Sequence, residues 1–362
     1  MPPPQNPAAI LTAFGVAMDK SSALQLTKRC LPYFEKKGLG KVTEIENVKP
    51  RNLQPVWTGM GSVDEIQVTG KGESMSFVVK TVGSHKKLDD ELALVDHMSY
   101  YNEATFYEQD LSERICGNGA LCPKPLLVDR TEDGELTICM TKLPGRGFSR
   151  SPEQTRQALQ WLAKLHSMFW GSAADEAVKL GVASRACFWD LTRRHIELRR
   201  MPQDVLRYAA KGIDARLQAD KMQTMCHGDP KGANIMFDEE QGISFYDFQW
   251  FGKAPPSKDL AYFFGVAAHG LSNEENEREL LKFYHGELSK LLESKSISPP
   301  DIEYLWNSYH LALCDLGRWM EGGFSFGNTR LIFGHVKALT NALAGLDSEE
   351  ACQEKIFALY PP

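Results

Sequence analysis

The sequence predicts an α+β fold in which a mixed α/β amino-terminal part with an antiparallel sheet precedes a mainly helical carboxy-terminal part. Short apolar runs separated by glycines and acidic residues occupy positions 56–140, a pattern typical of strands joined by turns. Apolar residues at helical spacing dominate from position 151 onward, which predicts packed helices. The 362 residues suffice for two domains or one two-lobed unit with a sizeable core.

The composition is that of an ordinary globular protein, with 43% hydrophobic and 24% charged residues. The formal net charge of -6, without a block of Lys or Arg, argues against nucleic acid as a partner. The eight cysteines form no C-x-x-C pair and lack nearby histidines at zinc-ligand spacing, so we expect thiols in a reducing compartment. Neither a secretory signal nor a membrane-spanning run is recognisable, which predicts a cytoplasmic protein that does not contact membranes.

We divide the chain at positions 50 and 143. Residues 1–50 are expected to form a helical amino-terminal extension, because apolar positions between 7 and 37 have the spacing of two helices. Residues 51–143 are the predicted amino-terminal lobe, with hairpins near positions 69–72 and 132–134 and a crossover at 141–147. Residues 144–362 are the predicted carboxy-terminal lobe. Its helices are expected at 151–171, 187–200, 204–220, 259–270, 274–292, 300–320 and 329–346.

The segment from Met225 to Gly252 contains the residues on which the functional prediction depends. Asp229 is followed five positions later by Asn234, and Asp247 ends the third of three short strand-like runs. His-Gly-Asp-x-x-x-x-Asn keeps the spacing of the protein-kinase catalytic loop, and Asp-Phe-Gln stands where Asp-Phe-Gly would. In such loops a carboxylate orients the attacking hydroxyl and accepts its proton, while an Asn and a second Asp hold Mg²⁺.

Each of these pieces has an ordinary structural explanation when it is taken alone. An Asp before a proline is a good turn starter, and an Asp-Phe pair after a strand is a common strand end. The order and spacing of the whole set favour a site for a metal ion and a nucleotide.

Candidate nucleotide contacts also occur in the amino-terminal lobe. Gly59, Gly61 and Ser62 are predicted to form a tight strand–turn–strand whose N–H groups approach phosphates, although ordinary hairpins share this pattern. Lys80 follows a β-branched run and takes the place of the lysine in the kinase Val-Ala-Ile-Lys strand. Backbone groups from Met140 to Leu143 are expected to bind the edge of an adenine ring.

Lys80 requires a carboxylate partner if it is to hold phosphates rather than lie in solvent. Glu103, on the helix predicted to follow the third strand, is the favoured partner, and Glu91 and Glu108 are its rivals. A helical glutamate is more often a surface residue, so this pairing is a prediction that depends on geometry.

Residues of the carboxy-terminal lobe are expected to support this site. His166 is predicted to be a core histidine that is hydrogen-bonded to backbone and braces the loop around Asp229. Asp259 is predicted to cap its helix while accepting hydrogen bonds from nearby backbone. The later helices are rich in aromatic residues, which suit a pocket for an apolar or cationic small molecule and suit a helical core equally well. These residues are Trp306, Tyr309, Trp319, Phe324 and Phe326.

The motifs HGDPKGAN, FYDFQ, KDLAYFF and LAKLHSMFW, together with Lys80 and NEATFYEQ, resemble the aminoglycoside phosphotransferase and choline-kinase-like superfamily. The closest resemblance is to its ecdysteroid-kinase-like branch, and it extends from about Val56 to about Met320. The resemblance implies a protein-kinase-like two-lobed fold and ATP-dependent phosphorylation of a hydroxyl group on a small molecule.

The resemblance also implies roles for individual residues. Asp229 would be the catalytic base, and Asn234 and Asp247 would be the Mg²⁺ ligands. Lys80 would contact phosphate with Glu103 as its partner. Lys231 occupies the place where many protein kinases carry a lysine that steadies the transferred phosphate, a position that varies in this superfamily.

The sequence disfavours two alternatives to a small-molecule kinase. A protein kinase is disfavoured, because the stretch between Asp247 and Asp259 is too short for a regulatory loop with an Ala-Pro-Glu end. An inactive nucleotide-binding scaffold is disfavoured because a decayed site usually loses one of its polar residues.

One part of the chain departs from the family pattern. Many relatives carry an acidic residue in the crossover between the lobes, where this chain has Thr141-Lys142. Choline-like, amino-sugar and sterol-like acceptors all stay open, as does the oligomeric state.

Overall fold

The structure, a computed structural model, describes residues 18–56, 59–71, 73–84, 88 and 90–362. These residues divide into two units. Unit 1 comprises the described residues up to Glu113 together with Pro123–Leu143, and unit 2 comprises Arg114–Cys122 and Pro144–Pro362. Unit 1 contains an antiparallel sheet and unit 2 is mainly helical, so the predicted α+β fold is confirmed. No helix in the described ranges is long and apolar enough to span a bilayer.

Unit 1 is built on a five-stranded sheet in which every neighbouring pair is antiparallel, in the order β1-β2-β3-β5-β4. Its strands are β1 (Ile45–Pro55), β2 (Gly61–Gly70), β3 (Glu73–Val82), β4 (Pro125–Arg130) and β5 (Leu136–Thr141). Its helices are α1 (Lys20–Phe34) and α2 (Glu91–Glu108); α3 (Leu111–Gly117) runs from unit 1 into unit 2. Both predicted hairpins are present, since Gly70 pairs with Glu73 and Arg130 pairs with Leu136.

Helix α1 packs on the sheet and shares its core. Phe34 of the helix lies against Phe77 of β3, with ring centroids 5.5 Å apart, and Cys30 joins the same buried cluster. Asp19 caps the start of the helix, because its carboxylate accepts hydrogen bonds from the N–H groups of Ser21 and Ser22, the usual N-cap arrangement. Of the two helices predicted between positions 7 and 37, this is the second; positions 7–17 lie outside the described residues.

Strand β1 corrects the helical prediction for the end of residues 1–50. Residues 45–50 are extended and pair with β2. The strand escaped the sequence pattern because it is polar and contains Pro50 and Pro55. It lies at the edge of the sheet, where a strand tolerates a missing backbone donor.

Unit 2 contains nine further helices within the described residues. They are α4 (Pro152–Met168), α5 (Ser172–Lys179), α6 (His195–Arg200), α7 (Val205–Gln218), α8 (Ser257–Val266), α9 (Glu274–Glu293), α10 (Ile302–Gly322), α11 (Thr329–Ala342) and α12 (Glu349–Leu359). Helix α4 begins as predicted, with Ser151 capping the N–H of Gln154 and Pro152 in the first turn. The helix predicted over 187–200 is wrong for its first half. Cys187 has a φ of 75°, and the chain turns until α6 begins at His195.

Two small sheets of unit 2 hold the segment that contains Asp229 and Asp247. Strand β7 (Thr224–Cys226) pairs with β10 (Gly252–Ala254). Strand β8 (Ile235–Asp238) pairs with β6 (Arg146–Gly147) and with β9 (Gly242–Phe245). The three strand-like runs predicted around the central motif are therefore strands β7, β8 and β9.

Candidate active site

The loop between β7 and β8 brings Asp229, Lys231 and Asn234 together. Oδ2 of Asp229 accepts hydrogen bonds from Lys231 Nζ at 2.6 Å and from Asn234 Nδ2 at 3.0 Å. The same Nδ2 donates to the backbone carbonyl of Asp229 at 2.9 Å. One amide group therefore fixes both the backbone and the carboxylate of Asp229.

The loop lies directly against the segment that follows Asp247. Gly228 has a φ of 83°, and a Cβ atom on it would lie 2.1 Å from the carbonyl oxygen of Trp250. Only glycine combines this backbone conformation with so close an approach. The glycine of the His-Gly-Asp motif is thus explained by packing.

The carboxyl group of Asp229 is buried, yet only one of its two oxygens is hydrogen-bonded in the described part of the chain. The residue is 2% exposed, and its Oδ1 atom has no hydrogen-bond partner among the described residues. Burial raises the pKa of Asp229, and the charge of Asp247 raises it further, while the Lys231 ammonium opposes both effects. A buried carboxylate oxygen without a donor is costly, so it indicates a position where a ligand donates a hydrogen bond.

Asn234 and Asp247 lie side by side at one end of the β8–β9 hairpin. Asn234 directly precedes β8, Asp247 follows β9 by two residues, and the N–H of Tyr246 donates to the carbonyl of Asn234 at 3.1 Å. Asp247 has a φ of 69°, a left-handed conformation that is uncommon for residues other than glycine. Its charge affects the pKa of Asp229, so the structure brings the two carboxyl groups into one neighbourhood.

Asp259 of α8 anchors the other side of the loop. Its Oδ2 accepts from the N–H of His227 at 2.7 Å, and its Oδ1 accepts from the N–H of Gly228 at 2.8 Å. The prediction that Asp259 binds nearby backbone is confirmed. The prediction that it caps its helix is wrong, because α8 has no side-chain cap hydrogen bond. Both carboxylate oxygens accept from the loop instead.

Two histidines complete this anchor. His166 Nε2 lies 3.1 Å from Asp259 Oδ2, and its Nδ1 lies 2.7 Å from the Tyr284 hydroxyl. His166 therefore braces the loop as predicted, but through side chains rather than backbone. His227 Nδ1 accepts from the N–H of Asp229 at 3.3 Å, and Nε2 donates to the Tyr246 carbonyl at 3.1 Å. Burial lowers the pKa of His227, which keeps the ring neutral in this bridging role.

In unit 1, the structure brings Lys80 of β3 and Glu103 of α2 together. Lys80 Nζ lies 2.6 Å from Glu103 Oε2, and the side chains are only 9% and 1% exposed. The ammonium also lies 4.7 Å from the centroid of the Tyr100 ring. Glu108, one of the rival partners, instead pairs with Arg130 at 2.6 Å.

The other predicted nucleotide contacts of unit 1 lie at the ends of strands. Gly59 lies in the connection between β1 and β2, and Gly61 begins β2, where a Cβ atom would lie 1.9 Å from the carbonyl oxygen of Thr81. The Ser62 hydroxyl donates to Asp64 Oδ2 at 2.5 Å. Met140 is paired within β5, and Leu143 follows that strand by two residues.

Tyr262 is a neighbour of Asp229 that the sequence analysis missed. Burial, the negative charge of Asp229 and the close approach of the Tyr262 hydroxyl to the Asp229 carboxyl group raise the pKa of Tyr262 well above its ordinary value. Oδ1 of Asp229 nevertheless receives no hydrogen bond of normal geometry from the described residues. Its ring stacks on Trp189 with centroids 4.9 Å apart. A signal was present, because Tyr262 lies three positions after Asp259 and hence on the same face of α8.

The aromatic residues predicted to line a pocket fall into two groups. Trp306 and Tyr309 pack with His335, whereas the other three join an aromatic cluster around Tyr262. We define this aromatic cluster as Phe188, Trp189, Tyr262, Trp319, Phe324 and Phe326.

Three buried polar atoms in or beside the aromatic cluster have no hydrogen-bond partner in the part of the chain that the structure describes. They are the donors Nε1 of Trp189 and Nε1 of Trp319, and the acceptor Oε2 of Glu197. The Glu197 and Trp319 side chains both lie against Gly323, since a Cβ on Gly323 would lie 3.6 Å from Glu197 Cγ and from Trp319 Cε2. Trp189, Tyr262 and Trp319 are buried, so the accessible apolar surface of the cluster comes from Phe188, Phe324 and Phe326.

Comparisons with solved structures agree with the fold. An ethanolamine kinase from Plasmodium vivax is similar over 91% of this chain and 96% of its own, with a TM-score of 0.50 and 14% identity. A choline kinase from Cryptosporidium parvum is similar over 94% of this chain and 97% of its own, with a TM-score of 0.51 and 10% identity. At these identities the likeness shows a shared fold. No curated protein sequence matches the chain.

The sequence itself also matches a family model. The model describes a phosphotransferase enzyme family and aligns with residues 64–293, a range that includes Lys80, Glu103, the loop around Asp229, and Asp247. The predicted superfamily is thereby confirmed, whereas the closer resemblance to the ecdysteroid-kinase-like branch stays a prediction. The chain belongs to the phosphotransferase enzyme family, whose members include small-molecule kinases of the aminoglycoside phosphotransferase type.

Proposed function

We propose that this protein transfers the γ-phosphoryl group of ATP to a hydroxyl group of a small molecule, with Asp229 as the base. The observation that carries the proposal is the buried Oδ1 atom of Asp229, which has no partner among the described residues. An acceptor hydroxyl that donates to this oxygen would remove the cost of leaving it unsatisfied and would be aimed for attack.

The surroundings of Asp229 suit this role. Asn234 and Lys231 hold Oδ2, so the carboxylate cannot turn its other oxygen away from the acceptor. As the acceptor oxygen attacks phosphorus, its proton passes to Oδ1. Burial raises the pKa of Asp229, which makes the carboxylate a stronger proton acceptor than an exposed aspartate.

The residues beside Asp229 suit a divalent metal ion. Nδ2 of Asn234 is used in holding Asp229, which leaves its amide oxygen as a ligand, and Asp247 offers carboxylate oxygens at the same end of the hairpin. Oxygen ligands of this kind are those that Mg²⁺ prefers. When bound, Mg²⁺ would neutralise charge on the phosphates. We assign Asn234 and Asp247 as its ligands.

The remaining predicted residues are assigned to ATP and to the transferred group. Lys80, held by Glu103 at 2.6 Å, is proposed to contact the phosphates. Lys231 is 39% exposed at its side chain while bound to Asp229, so its ammonium is able to steady the transferred phosphoryl group. The proposed contacts of the rest of the nucleotide are Gly59, Gly61, Ser62, Met140 and Leu143.

The aromatic cluster is proposed to bind the body of the acceptor. Tyr262 links it to Asp229, and the unused donor of Trp319 and acceptor of Glu197 suit a polar group of the acceptor other than the hydroxyl that reacts. The two solved relatives are named for ethanolamine and choline. Both compounds therefore belong in an acceptor screen, beside amino sugars and hydroxylated apolar rings.

The test is a phosphate-transfer screen over a metabolite library with Mg²⁺ and ATP, in which the product is identified by its gain in mass. We expect a phosphorylated alcohol with the wild-type chain and at least about a hundredfold less of it, in the same time, with Asp229→Asn. Nucleotide binding without ADP release for any acceptor would contradict the proposal and favour a scaffold. Phosphate transfer to generic proteins alone would favour a protein kinase.

A further inference from the structure

The cysteine pair Cys116 and Cys122 lies outside every role discussed so far. Their Sγ atoms are 3.6 Å apart, and the thiol of Cys116 donates to the carbonyl of Cys122 at 3.3 Å. Cys116 is partly exposed, whereas Cys122 is buried. Disulfide formation requires the sulfurs to approach to about 2.05 Å, so a small adjustment of this segment would suffice.

The end of helix α3 explains why the two sulfurs meet. After Cys116 the chain folds back, with the N–H of Gly119 donating to the Cys116 carbonyl at 2.9 Å and the N–H of Ala120 donating to the Ile115 carbonyl at 3.2 Å. This turn returns Cys122 to the side of Cys116. Gly117 and Gly119 lie between the cysteines, and glycines give a backbone the freedom that such an approach needs.

We propose that Cys116 and Cys122 are a modification site, a dithiol that a peroxide converts to an intramolecular disulfide. In the first step the Cys116 thiol is oxidised to a sulfenic acid while one peroxide oxygen is reduced and water leaves. In the second step the Cys122 sulfur attacks the Cys116 sulfur, the S–O bond breaks, and a second water leaves. A partly exposed thiol with a second thiol in contact is the usual arrangement for this chemistry.

A second cysteine pair in the same chain serves as an internal control. Cys30 and Cys139 are close enough for Cys30 to raise the pKa of the Cys139 thiol, together with burial. Both are 0% exposed within the core of unit 1. Because a peroxide cannot reach these buried thiols, Cys30 and Cys139 should stay reduced when Cys116 and Cys122 are oxidised.

The location of Cys116 and Cys122 predicts that disulfide formation affects the candidate active site. The carbonyl of Leu121 accepts from Trp161 Nε1 at 2.8 Å and from the N–H of Phe245 at 3.1 Å, and Phe245 ends β9 two residues before Asp247. Drawing the sulfurs together moves the segment that holds this strand. We therefore expect the disulfide to lower turnover; this part rests on the proposed function, whereas disulfide formation does not.

The experiment treats the reduced full chain with hydrogen peroxide, alkylates the remaining thiols after denaturation, and maps them by mass spectrometry. No Lys or Arg separates the two cysteines, so trypsin leaves both in one peptide. We expect this peptide to lose two hydrogen atoms and to escape alkylation, and dithiothreitol to reverse both changes. Cys30 and Cys139 should stay alkylatable.

Variants and opposing outcomes complete the test. Cys116→Ser should leave Cys122 alkylatable, while Cys139→Ser should leave disulfide formation intact. Two results with the wild-type chain alone would contradict disulfide formation. One is that both cysteines are still alkylated after peroxide treatment, and the other is that Cys116 becomes a sulfinic acid while Cys122 stays reduced. A disulfide that forms fully while turnover stays constant would overturn its regulatory part alone.

Discussion

Two buried aspartates, Asp229 within the β7–β8 loop and Asp259 packed against it, differ in how many of their oxygens are hydrogen-bonded. Asp259 accepts from two backbone N–H groups and from His166, so both of its oxygens are occupied. Asp229 has one occupied oxygen and one that lacks a partner among the described residues. Burial alone therefore does not identify a functional carboxylate. Both oxygens of Asp259 are committed to holding the structure, whereas Oδ1 of Asp229 is able to accept a hydrogen bond from a ligand.

The largest effect is expected from Asp229→Asn, which removes the carboxylate and keeps its shape. Turnover should fall by about 10²–10⁴-fold, the usual contribution of a general base, while ATP affinity stays nearly constant. Steady-state kinetics and a nucleotide-binding titration measure the two quantities. Equal losses in both would indicate that Asp229 is only structural.

Thermal stability provides a second test of Asp229→Asn, because the direction of the change in Tm can be predicted. The pKa of Asp229 is raised in the folded state, so ionising the carboxyl costs more when folded, and the cost is present above the folded pKa. Asp229→Asn should therefore raise Tm at neutral pH, and the gain should disappear as pH falls below 3.8, the ordinary aspartate value. A lower Tm at neutral pH would contradict this interpretation.

A third carboxylate, that of Asp247, is assigned as a ligand of the metal ion and should affect nucleotide binding. Asp247→Ala should weaken Mg²⁺-ATP binding by at least about tenfold, since even groups that only support metal ligands have effects of that size. Isothermal titration with Mg²⁺-ATP measures the change. Asp259→Asn is the matched control and should leave affinity nearly unchanged under conditions where it stays folded; unaltered affinity in Asp247→Ala would remove the metal assignment.

Replacing Asp259, whose two oxygens are both hydrogen-bonded, should lower the stability of the protein and leave the reaction chemistry unchanged. Asp259→Asn replaces an oxygen that accepts a backbone N–H with an amide donor, so we expect a loss of about 2–4 kcal/mol in the free energy of unfolding. Urea denaturation measures it, with an unchanged m-value as the check on two-state behaviour. A stable Asp259→Asn protein without turnover would break the distinction between the two aspartates.

The smallest expected effect concerns the pH dependence of turnover. The Lys231 ammonium lowers the pKa of Asp229 against the effect of burial. Activity requires the ionised base and is lost as pH falls through that pKa, so Lys231→Met should move the acidic limb of kcat/KM to higher pH. Lys231→Arg, which keeps the charge, should move it less. An acidic limb that does not respond to either variant would exclude Asp229 as the titrating group.

Local patterns were sufficient for much of the fold and for part of the candidate site. The strands around Asp229 and Asp247 and the capped start of α4 follow from apolar runs, turn residues and a Ser-Pro cap. The Lys80–Glu103 contact also followed from sequence, because the two residues match the kinase pattern in which a lysine on the third strand pairs with a glutamate on the following helix. The roles of these residues stay predictions that the variants above test.

Other features depend on contacts that no local pattern records. Strand β1 is extended because the sheet supplies a partner for a polar, proline-containing edge. Asp259 was expected to cap α8, but the distant loop supplies two better donors. Tyr262 and Phe188 meet only when the fold brings α8 against the irregular segment before α6, so this contact is not visible in the order of residues.

The left-handed backbone at Asp247 has a consequence for attempts to improve this protein in the laboratory. A glycine would adopt the same φ of 69° without a steric penalty from Cβ. As far as the backbone is concerned, selection for heat resistance should therefore favour glycine at position 247, whereas selection that also requires catalysis should retain the aspartate. Libraries screened only for soluble yield would drift toward folded proteins that have lost the reaction.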